Sequence, residues 1–246
     1  FFKDAYSPEK ITIAIVGDID RQYALEKINM TFGSLPRGRN TVIPRPIEPP
    51  QATERFLEEK SDIDGAYMNL SFHSTDLLDK DLYAMDLLSL ILGQGESSIL
   101  NENIRMKDQI VLSISSYNYT PRDPGLFVIS SVLKEENVNQ AIDAILDEIE
   151  YLKQNGVKED DLQKAKNNFI ADYIYQKETI ESQANDMAQS QILTGSPDFF
   201  KQYIENIKAV AIEDIRQAAS KYLNRQNMSV TVLSRSGNAL KMGAGP

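Results

Sequence analysis

Hydrophobic residues recur along this chain with two different periods, and the period predicts where strands and helices lie. Short apolar or alternating runs are typical of strands. They occupy residues 53–60, 66–73, 110–119, 126–133 and 228–233. A repeat of three to four residues is typical of amphipathic helices. It is found in residues 20–33, 79–93, 138–156, 162–173, 180–193, 197–208 and 212–223, and one more helix is predicted to begin at Ser97 or Ser98.

The order of these elements favours an α+β fold. Strands come in pairs and helices come in pairs, rather than alternating one by one, so we expect a mostly antiparallel sheet. A chain of 246 residues is long enough to bury roughly 70% of its unfolded surface. Its 41% hydrophobic residues are sufficient for an ordinary core.

The two ends of the chain differ from this pattern. Ile11–Val16 is an unbroken apolar run rich in β-branched residues, which predicts a buried strand that ends at Gly17. Asp20 is placed to cap the helix that follows. Residues 37–52 are rich in proline, which excludes a helix or a central strand and favours a semi-rigid linker. Residues 236–246 are predicted to form a disordered tail.

Charge and hydropathy exclude two classes of partner. The net charge of -10 disfavours nucleic acid, because phosphate binding depends on Lys and Arg. No run approaches the ~18 consecutive apolar residues of a membrane span. Residues 1–4 match neither a signal peptide nor an initiator methionine context, so we interpret the chain as an excised segment.

Cysteine and histidine are nearly missing, which excludes much chemistry. The chain has no Cys, and therefore no thiol nucleophile or thiolate metal site. Its one histidine is His73. The zinc motifs His-Glu-x-x-His and His-x-x-Glu-His each need two imidazoles, so neither exists here. A lone imidazole is more often structural than a metal ligand, and we predict no metal site and no catalytic residue in this chain.

Adjacent carboxylates suggest a third kind of chemistry. Glu58-Glu59, Glu135-Glu136 and Glu159-Asp160-Asp161 could act as an acid and base pair or bind calcium. Their spacing matches no calcium loop, and acidic residues at helix starts stabilise the helix dipole. Solvated helix ends are the favoured interpretation, and an independent carboxylate enzyme is the least favoured function.

Four segments together resemble one protein family. They are Tyr6–Asp18 (YSPEKITIAIVGD), Phe32–Pro36 (FGSLP), Leu92–Ser98 (LGQGESS) and Gly156–Asn167 (GVKEDDLQKAKN). Their order and spacing resemble the C-terminal region of insulinase-type (pitrilysin-like, inverzincin) zinc metallopeptidases. That family includes mitochondrial processing peptidases and bacterial periplasmic proteases. The resemblance covers most of the chain.

The resemblance implies a fold and a division into domains. The family fold is an α/β roll, a mostly antiparallel sheet with helices packed on one face. Residues 1–36 would be the end of the preceding catalytic-type roll, as a strand plus a helix, and residues 53–235 a complete non-catalytic roll. The zinc ligands of the family lie in the preceding roll, so zinc is expected in a partner domain and this chain alone is expected to be inactive.

The resemblance also implies one substrate-binding residue. Active members carry an arginine and, seven residues later, a tyrosine that reach the substrate. Arg105 lies at the arginine position, but Leu112 replaces the tyrosine. Arg105 would thus bind substrate, or it would pair with Glu102 on its helix surface. Tyr117 and Tyr119 lie an odd number of residues from Leu112, so they face the other side of a strand unless a bulge intervenes.

Two more positions depart from the family pattern. Ile99 stands where an arginine is expected, and Gln109 where a glycine is expected. These departures and Leu112 all lie near the region that contacts substrate in the family. They favour a degenerate, non-catalytic role for this roll.

Two hypotheses about function follow from the resemblance. In the first, the chain is the inactive half of a zinc metallopeptidase, which closes a chamber around an unfolded peptide while a separate domain holds zinc. In the second, it is a non-proteolytic scaffold or assembly subunit. Its expected partners are a zinc-binding N-terminal domain or a homologous subunit and an unfolded peptide. A dimer is compatible with this, and bacterial relatives imply a periplasmic location.

Overall fold

The structure is a computed structural model, and it describes residues 6–36, 46 and 48–241. Most of the predicted linker at 37–52 and the last residues of the predicted tail, 242–246, lie outside the described residues. Contacts between Cα atoms divide the chain into two units. One unit contains the described residues up to 49 together with 171–202, and the other contains 50–170 together with the described residues from 203 onward.

The second unit is built on a five-stranded sheet in the order β1-β5-β2-β4-β3. The strands are β1 (Arg55–Lys60), β2 (Ala66–His73), β3 (Val111–Tyr119), β4 (Leu126–Leu133) and β5 (Met228–Ser234). β1 runs parallel to β5, and the other three neighbouring pairs are antiparallel. The mostly antiparallel α+β sheet predicted from the sequence is therefore confirmed.

Helices occupy the segments with the three-to-four-residue repeat. They are α1 (Arg21–Phe32), α2 (Leu82–Gly93), α3 (Val138–Asn155), α4 (Glu159–Gln176), α5 (Ile180–Thr194), α6 (Phe199–Ala209) and α7 (Ile212–Tyr222). A π-helix, Asn101–Lys107, follows α2, and short 3₁₀ turns lie at Pro8–Lys10, Glu135–Asn137 and Arg225–Asn227. The Asp20 side chain accepts a hydrogen bond from the Tyr23 amide and caps α1, as predicted.

Helices cover one face of the sheet because alternate strand residues are apolar. On β2, Met68, Leu70 and Phe72 are at most 1% exposed, whereas the residues between them are partly or largely exposed. α2 packs against β3 and against α7, and α3 also packs against α7. Burying a side chain of leucine size stabilises the fold by roughly 1.5–3 kcal/mol, so this face supplies the main core of the unit.

The first unit contains α1, the end of α4, the whole of α5 and the start of α6. In residues 171–202 the Tyr173 hydroxyl donates to the Phe200 carbonyl (2.9 Å), and Lys177 pairs with Asp186. The Lys177 ammonium also lies 4.2 Å from the centre of the Tyr173 ring. Burial alone would lower the pKa of Lys177, but these partners outweigh it and raise the pKa. α1, in contrast, has no buried residue.

Ile11–Val16 is not a strand, and this part of the sequence prediction is wrong. Ile11, Ile13 and Ile15 are 43%, 41% and 47% exposed, and no described strand pairs with them. A strand is defined by hydrogen bonds to a neighbouring strand. A β-branched run that has no such neighbour remains irregular, whatever its propensity.

The chain after β5 also differs from the prediction. Residues 236–241, expected to be disordered, form an ordered turn held by two glutamates. The Glu58 carboxylate accepts hydrogen bonds from the amides of Ala239 (2.7 Å) and Leu240 (2.9 Å). The Glu135 carboxylate accepts from the amides of Arg235 and Ser236. These long-range bonds, which link residues about 100 or more positions apart, leave no signal in the local composition.

The described helices differ in length and composition. None of them is both long enough and apolar enough to span a lipid bilayer.

Candidate functional site

The predicted substrate-binding residue lies in a region of irregular backbone between α2 and β3. The π-helix begins after the turn that contains Ser98, whose carbonyl accepts from the Glu102 amide (2.9 Å). At its end, the Asp108 amide donates to the Asn103 carbonyl five residues earlier (3.0 Å). The wider turn of a π-helix inserts one extra residue and is frequent at functional sites.

Gln109 terminates this helix in a left-handed conformation. Its φ is 55°, and among the described residues it is the only non-glycine residue with a positive φ. The next amide, that of Ile110, donates to the Ile104 carbonyl (3.0 Å), which closes the helix end. Glycine adopts this conformation at the lowest cost. The family expectation of a glycine at this position therefore has a backbone reason.

A β-bulge follows directly at Leu112. Val111 pairs with Leu133 and Ser113 pairs with Val132, so Leu112 is the extra residue. Its side chain is 64% exposed. A bulge inserts one residue, so after it the odd-numbered and even-numbered side chains exchange faces of the sheet. Leu112 therefore lies on the exposed side, together with the odd-numbered residues of β3 that follow it.

Arg105 is held at this bulge. Its Nε donates to the Leu112 carbonyl (3.1 Å), and its Nη1 donates to the Glu96 carboxylate (3.1 Å). The side chain is 36% exposed. The ion pair predicted with Glu102 is replaced by one with Glu96, because the turn before the π-helix brings Glu96 beside the guanidinium.

A second side chain of the π-helix, that of Asn101, also forms a hydrogen bond with β3. The Asn101 amide donates to the Ile114 carbonyl (3.1 Å) and to the Ser98 hydroxyl (2.9 Å). Together with Arg105 it binds two carbonyls, those of Leu112 and Ile114, on a strand at the edge of the sheet. Unpaired carbonyls at a sheet edge invite association with another strand. This half of the β3 edge is thus protected.

The face of the sheet opposite the helices is here called the open face. It carries the odd-numbered residues of β2 and β5, the even-numbered residues of β4, and Leu112 with the odd-numbered residues of β3 from Ser113 on. Tyr67, Tyr117 and Tyr119 are its aromatic residues, and their exposed fractions are 52%, 46% and 60%. None of these positions on β2, β3, β4 and β5 is Asp, Glu, Lys or Arg, whereas β1 adds Arg55 and Glu59 to the same side.

The position of Tyr117 and Tyr119 corrects the parity argument from the sequence. Because the bulge intervenes, both tyrosines lie on the same exposed side as Leu112. Five and seven residues of strand nevertheless separate them from Leu112 by roughly 16–23 Å. Neither tyrosine stands close enough to Arg105 to replace the missing phenol.

A polar cluster that the sequence did not reveal lies on the helix side of β3. The half-buried Asp86 carboxylate on α2 accepts hydrogen bonds from the Tyr203 hydroxyl and from the Asn118 amide. Tyr203 stacks on Phe169, with ring centres 5.6 Å apart. Desolvation raises the pKa of Asp86 to about 6, although both hydrogen bonds act in the opposite direction. Burial and the charge of Asp86 also raise the pKa of Tyr203.

The sequence contains one sign of this cluster, which is that the charged residue Asp86 lies within the apolar repeat of α2. Its partners come from β3 and α6, which lie 32 and 117 residues away in the sequence. Tertiary packing brings them together, so the cluster is structural cross-linking rather than a site open to substrate.

The residues of this chain do not fit a zinc ion. His73 is the only histidine in the sequence, and its backbone carbonyl accepts from the Asn227 side chain (2.8 Å). Among the residues that the structure describes, no three histidine or carboxylate side chains converge on one point. Two of the acidic groups considered above, at Glu58 and Glu135, bind backbone amides instead.

Fold and site together define a class of protein: an α/β roll with one helix-covered face, an opposite face that is uncharged over four strands, and no metal-binding cluster among the described residues. The family model for the peptidase M16 inactive domain matches residues 1–169. The chain belongs to this family, and the insulinase-type resemblance is confirmed.

Two relatives show the range of proteins that the chain is similar to. The uncharacterized zinc protease YmxG of Bacillus subtilis is 22% identical over 239 residues, which is 97% of this chain and 57% of YmxG. The mitochondrial cytochrome b-c1 complex subunit 2 of Rattus norvegicus is 27% identical over 132 residues, 54% of this chain and 29% of that protein. The chain spans about half the length of most curated relatives that it matches.

Solved structures show the same fold. A protease from Helicobacter pylori has a TM-score of 0.79 at 24% identity, over 89% of this chain and 54% of that one. The periplasmic protease PqqL from Escherichia coli has a TM-score of 0.68 at 16% identity, over 89% of this chain and 24% of that one. The α/β roll predicted from the resemblance is therefore confirmed.

Proposed function

We propose that this chain is the inactive half of a zinc metallopeptidase, and that its open face forms one wall of a chamber for an unfolded peptide. The observation that carries this proposal is the open face itself. It carries three exposed tyrosines and lies opposite the helices of its own unit, on a member of a peptidase family. Aromatic groups on exposed surfaces are typical of binding sites.

Zinc in this proposal is held by a separate domain. That domain would supply two histidines and a glutamate as ligands and a second glutamate as general base. Residues 1–36 would complete that domain as its last segment, which would give the exposed isoleucines of 11–16 and the unburied α1 something to pack against. Residues 53–235 would then be the non-catalytic roll.

Arg105 is proposed to contact the substrate backbone. Its two hydrogen bonds use Nε and Nη1, so Nη2 remains to donate to a peptide carbonyl. A guanidinium at a carbonyl favours negative charge that develops on the oxygen. The Glu96 and Leu112 contacts would fix its orientation.

Reconstitution tests this function. We expect no cleavage of an unstructured fluorogenic peptide by the chain alone with zinc, and cleavage when the native upstream segment is added. Arg105→Ala should lower kcat/KM of the mixture roughly tenfold or more. Arg216→Ala, which also removes an exposed ion-paired arginine, is the matched control and should change little. Cleavage by the chain alone would refute the proposal.

A scaffold role is the second candidate. Leu112 in place of the expected tyrosine favours it, as does the similarity to a b-c1 complex subunit. If the upstream segment binds this chain but the pair cleaves nothing, and the upstream sequence lacks His-x-x-Glu-His, the scaffold function is the better one.

The periplasm is the proposed location, on the basis of similarity to a periplasmic protease. Fractionation of the source cells, with the chain followed by antibody, tests it directly. Recovery with cytoplasmic markers would refute it.

A further inference from the structure

The open face is uncharged over four adjacent strands. In a chain with 25% charged residues, none of the outward positions on β5, β2, β4 and β3 is Asp, Glu, Lys or Arg. Charge resumes only on β1, with Arg55 and Glu59 on the same side. Neighbouring strands lie about 4.8 Å apart, so the uncharged band is roughly 14 Å wide. The net charge of -10 therefore lies elsewhere on the molecule.

Side chains form rows across this band, and one of these rows is entirely polar. One row consists of Thr231, Asn69, Ser130 and Ser115, and the Ser130 hydroxyl donates to the Asn69 side chain (2.7 Å). The neighbouring row on one side contains Leu233, Tyr67, Val132 and Ser113. The row on the other side contains Ser229, Ser71, Tyr117 and Val128, of which Val128 is only 5% exposed. A hydroxyl and amide row is thus flanked by two rows that mix aromatic, aliphatic and serine side chains.

Such rows suit an extended peptide without charged side chains. Hydroxyl and amide groups both donate and accept, so they bond peptide N–H and C=O groups of any sequence. Tyrosine and aliphatic side chains gain free energy by covering apolar substrate side chains. A Lys or Glu side chain brought onto the band loses hydration and finds no partner of opposite charge.

We infer that the open face selects extended peptide segments that are rich in apolar and aromatic residues and poor in charge. This inference rests on the proposed function, in which a peptide lies against this face. It adds the chemical class of the substrate: stretches normally buried in folded proteins, rather than basic or acidic leader-like segments.

Binding of three matched peptides tests the inference. Each is an unstructured, fluorescein-labelled 12-residue peptide. The neutral peptide carries Val, Leu and Tyr. In the lysine peptide four of these residues are replaced by Lys, and in the glutamate peptide the same four are replaced by Glu. Fluorescence anisotropy with the 246-residue chain is measured at 0.15 M and 0.5 M NaCl, because high salt screens the long-range attraction of the net charge. We expect the neutral peptide to bind roughly tenfold more tightly than either charged peptide at high salt.

A charge placed on the polar row should change this selectivity. Asn69→Glu is expected to tighten binding of the lysine peptide roughly threefold to fivefold and to weaken binding of the glutamate peptide. Asn168→Glu, the same substitution at an exposed helical residue, is the matched control and should do neither. Circular dichroism confirms that both variants are folded.

Three outcomes would overturn the inference. If the charged peptides bind as tightly as the neutral one, and Tyr67→Ala weakens the binding of all three, the face binds peptides but does not select neutral ones. If the neutral preference survives Asn69→Glu unchanged, the selectivity lies off this face. If no peptide binds, the inference falls together with the peptide role on which it rests.

Discussion

Gln109 has a left-handed backbone conformation that most side chains avoid. Its φ of 55° closes the π-helix at the point where the chain turns into β3. A residue with a Cβ pays roughly 1–2 kcal/mol for this conformation. The hydrogen bond from the Ile110 amide to the Ile104 carbonyl and the Arg105 contact with Leu112 lie on either side of this turn.

Replacing Gln109 by glycine should therefore stabilise the protein. Glycine removes the strain but adds entropy to the unfolded chain, so the expected gain in the free energy of unfolding is about 0.5–1 kcal/mol. Urea denaturation followed by circular dichroism measures it. Gln109→Ala keeps the Cβ and should show no gain. An equal or lower stability of the glycine variant would contradict the strain argument.

At the scale of elements, β1 and the C-terminal turn depend on each other. The Glu58 carboxylate accepts from the Ser234 hydroxyl (2.6 Å) and from the amides of Ala239 and Leu240. Burial alone would raise the pKa of Glu58, but these bonds outweigh it and lower the pKa. The charged form is thus the one that holds the turn.

Glu58→Gln should loosen this turn. Removing one charged acceptor oxygen is expected to cost about 1 kcal/mol of unfolding free energy and to speed hydrogen exchange at the Ala239 and Leu240 amides. Because the folded pKa lies below the ordinary value, the stabilisation is present above pH ~4.5 and is lost as the pH falls further. Glu59→Gln, on the opposite side of β1, should change neither quantity. Identical rates of hydrogen exchange in the two variants would refute the role of Glu58 in holding the C-terminal turn.

The strand and helix predictions failed where partners were distant or missing. β2 was predicted to the residue, because its alternation reports burial of one face directly. The bulge at Leu112 was not predicted, because it depends on register with β4. Ile11–Val16 has the composition of a strand and no described strand beside it.

At the scale of the whole molecule, Asp86 joins α2, β3 and α6. Its carboxylate binds Asn118 and Tyr203, and desolvation raises its pKa from an ordinary 3.8 to about 6. The folded protein therefore binds this proton more tightly than the unfolded chain does. The contribution of Asp86 to stability is greatest below pH ~4 and declines as the pH rises to about 6.

Asp86→Asn should remove this pH dependence. As the pH rises from 4 to 6, the free energy of unfolding of the wild-type protein is expected to fall by up to about 2–3 kcal/mol relative to that of the variant. Thermal unfolding of both proteins at several pH values gives this difference, and Asp143→Asn, at an exposed position on α3, is the control. Parallel pH profiles for wild type and Asp86→Asn would show that Asp86 is not the titrating group.

Residue types and their periodicity determined the fold class, most of the element positions and the exclusion of the two-histidine zinc motifs, because these follow from local composition. The family followed from four short motifs. The tertiary structure alone decided which groups meet: Arg105 with Glu96, Asp86 with Tyr203, and Glu58 with the C-terminal turn. It also decided which face of the sheet the helices of its unit cover, since pairing register and helix packing connect residues too far apart in the sequence for any local pattern to specify.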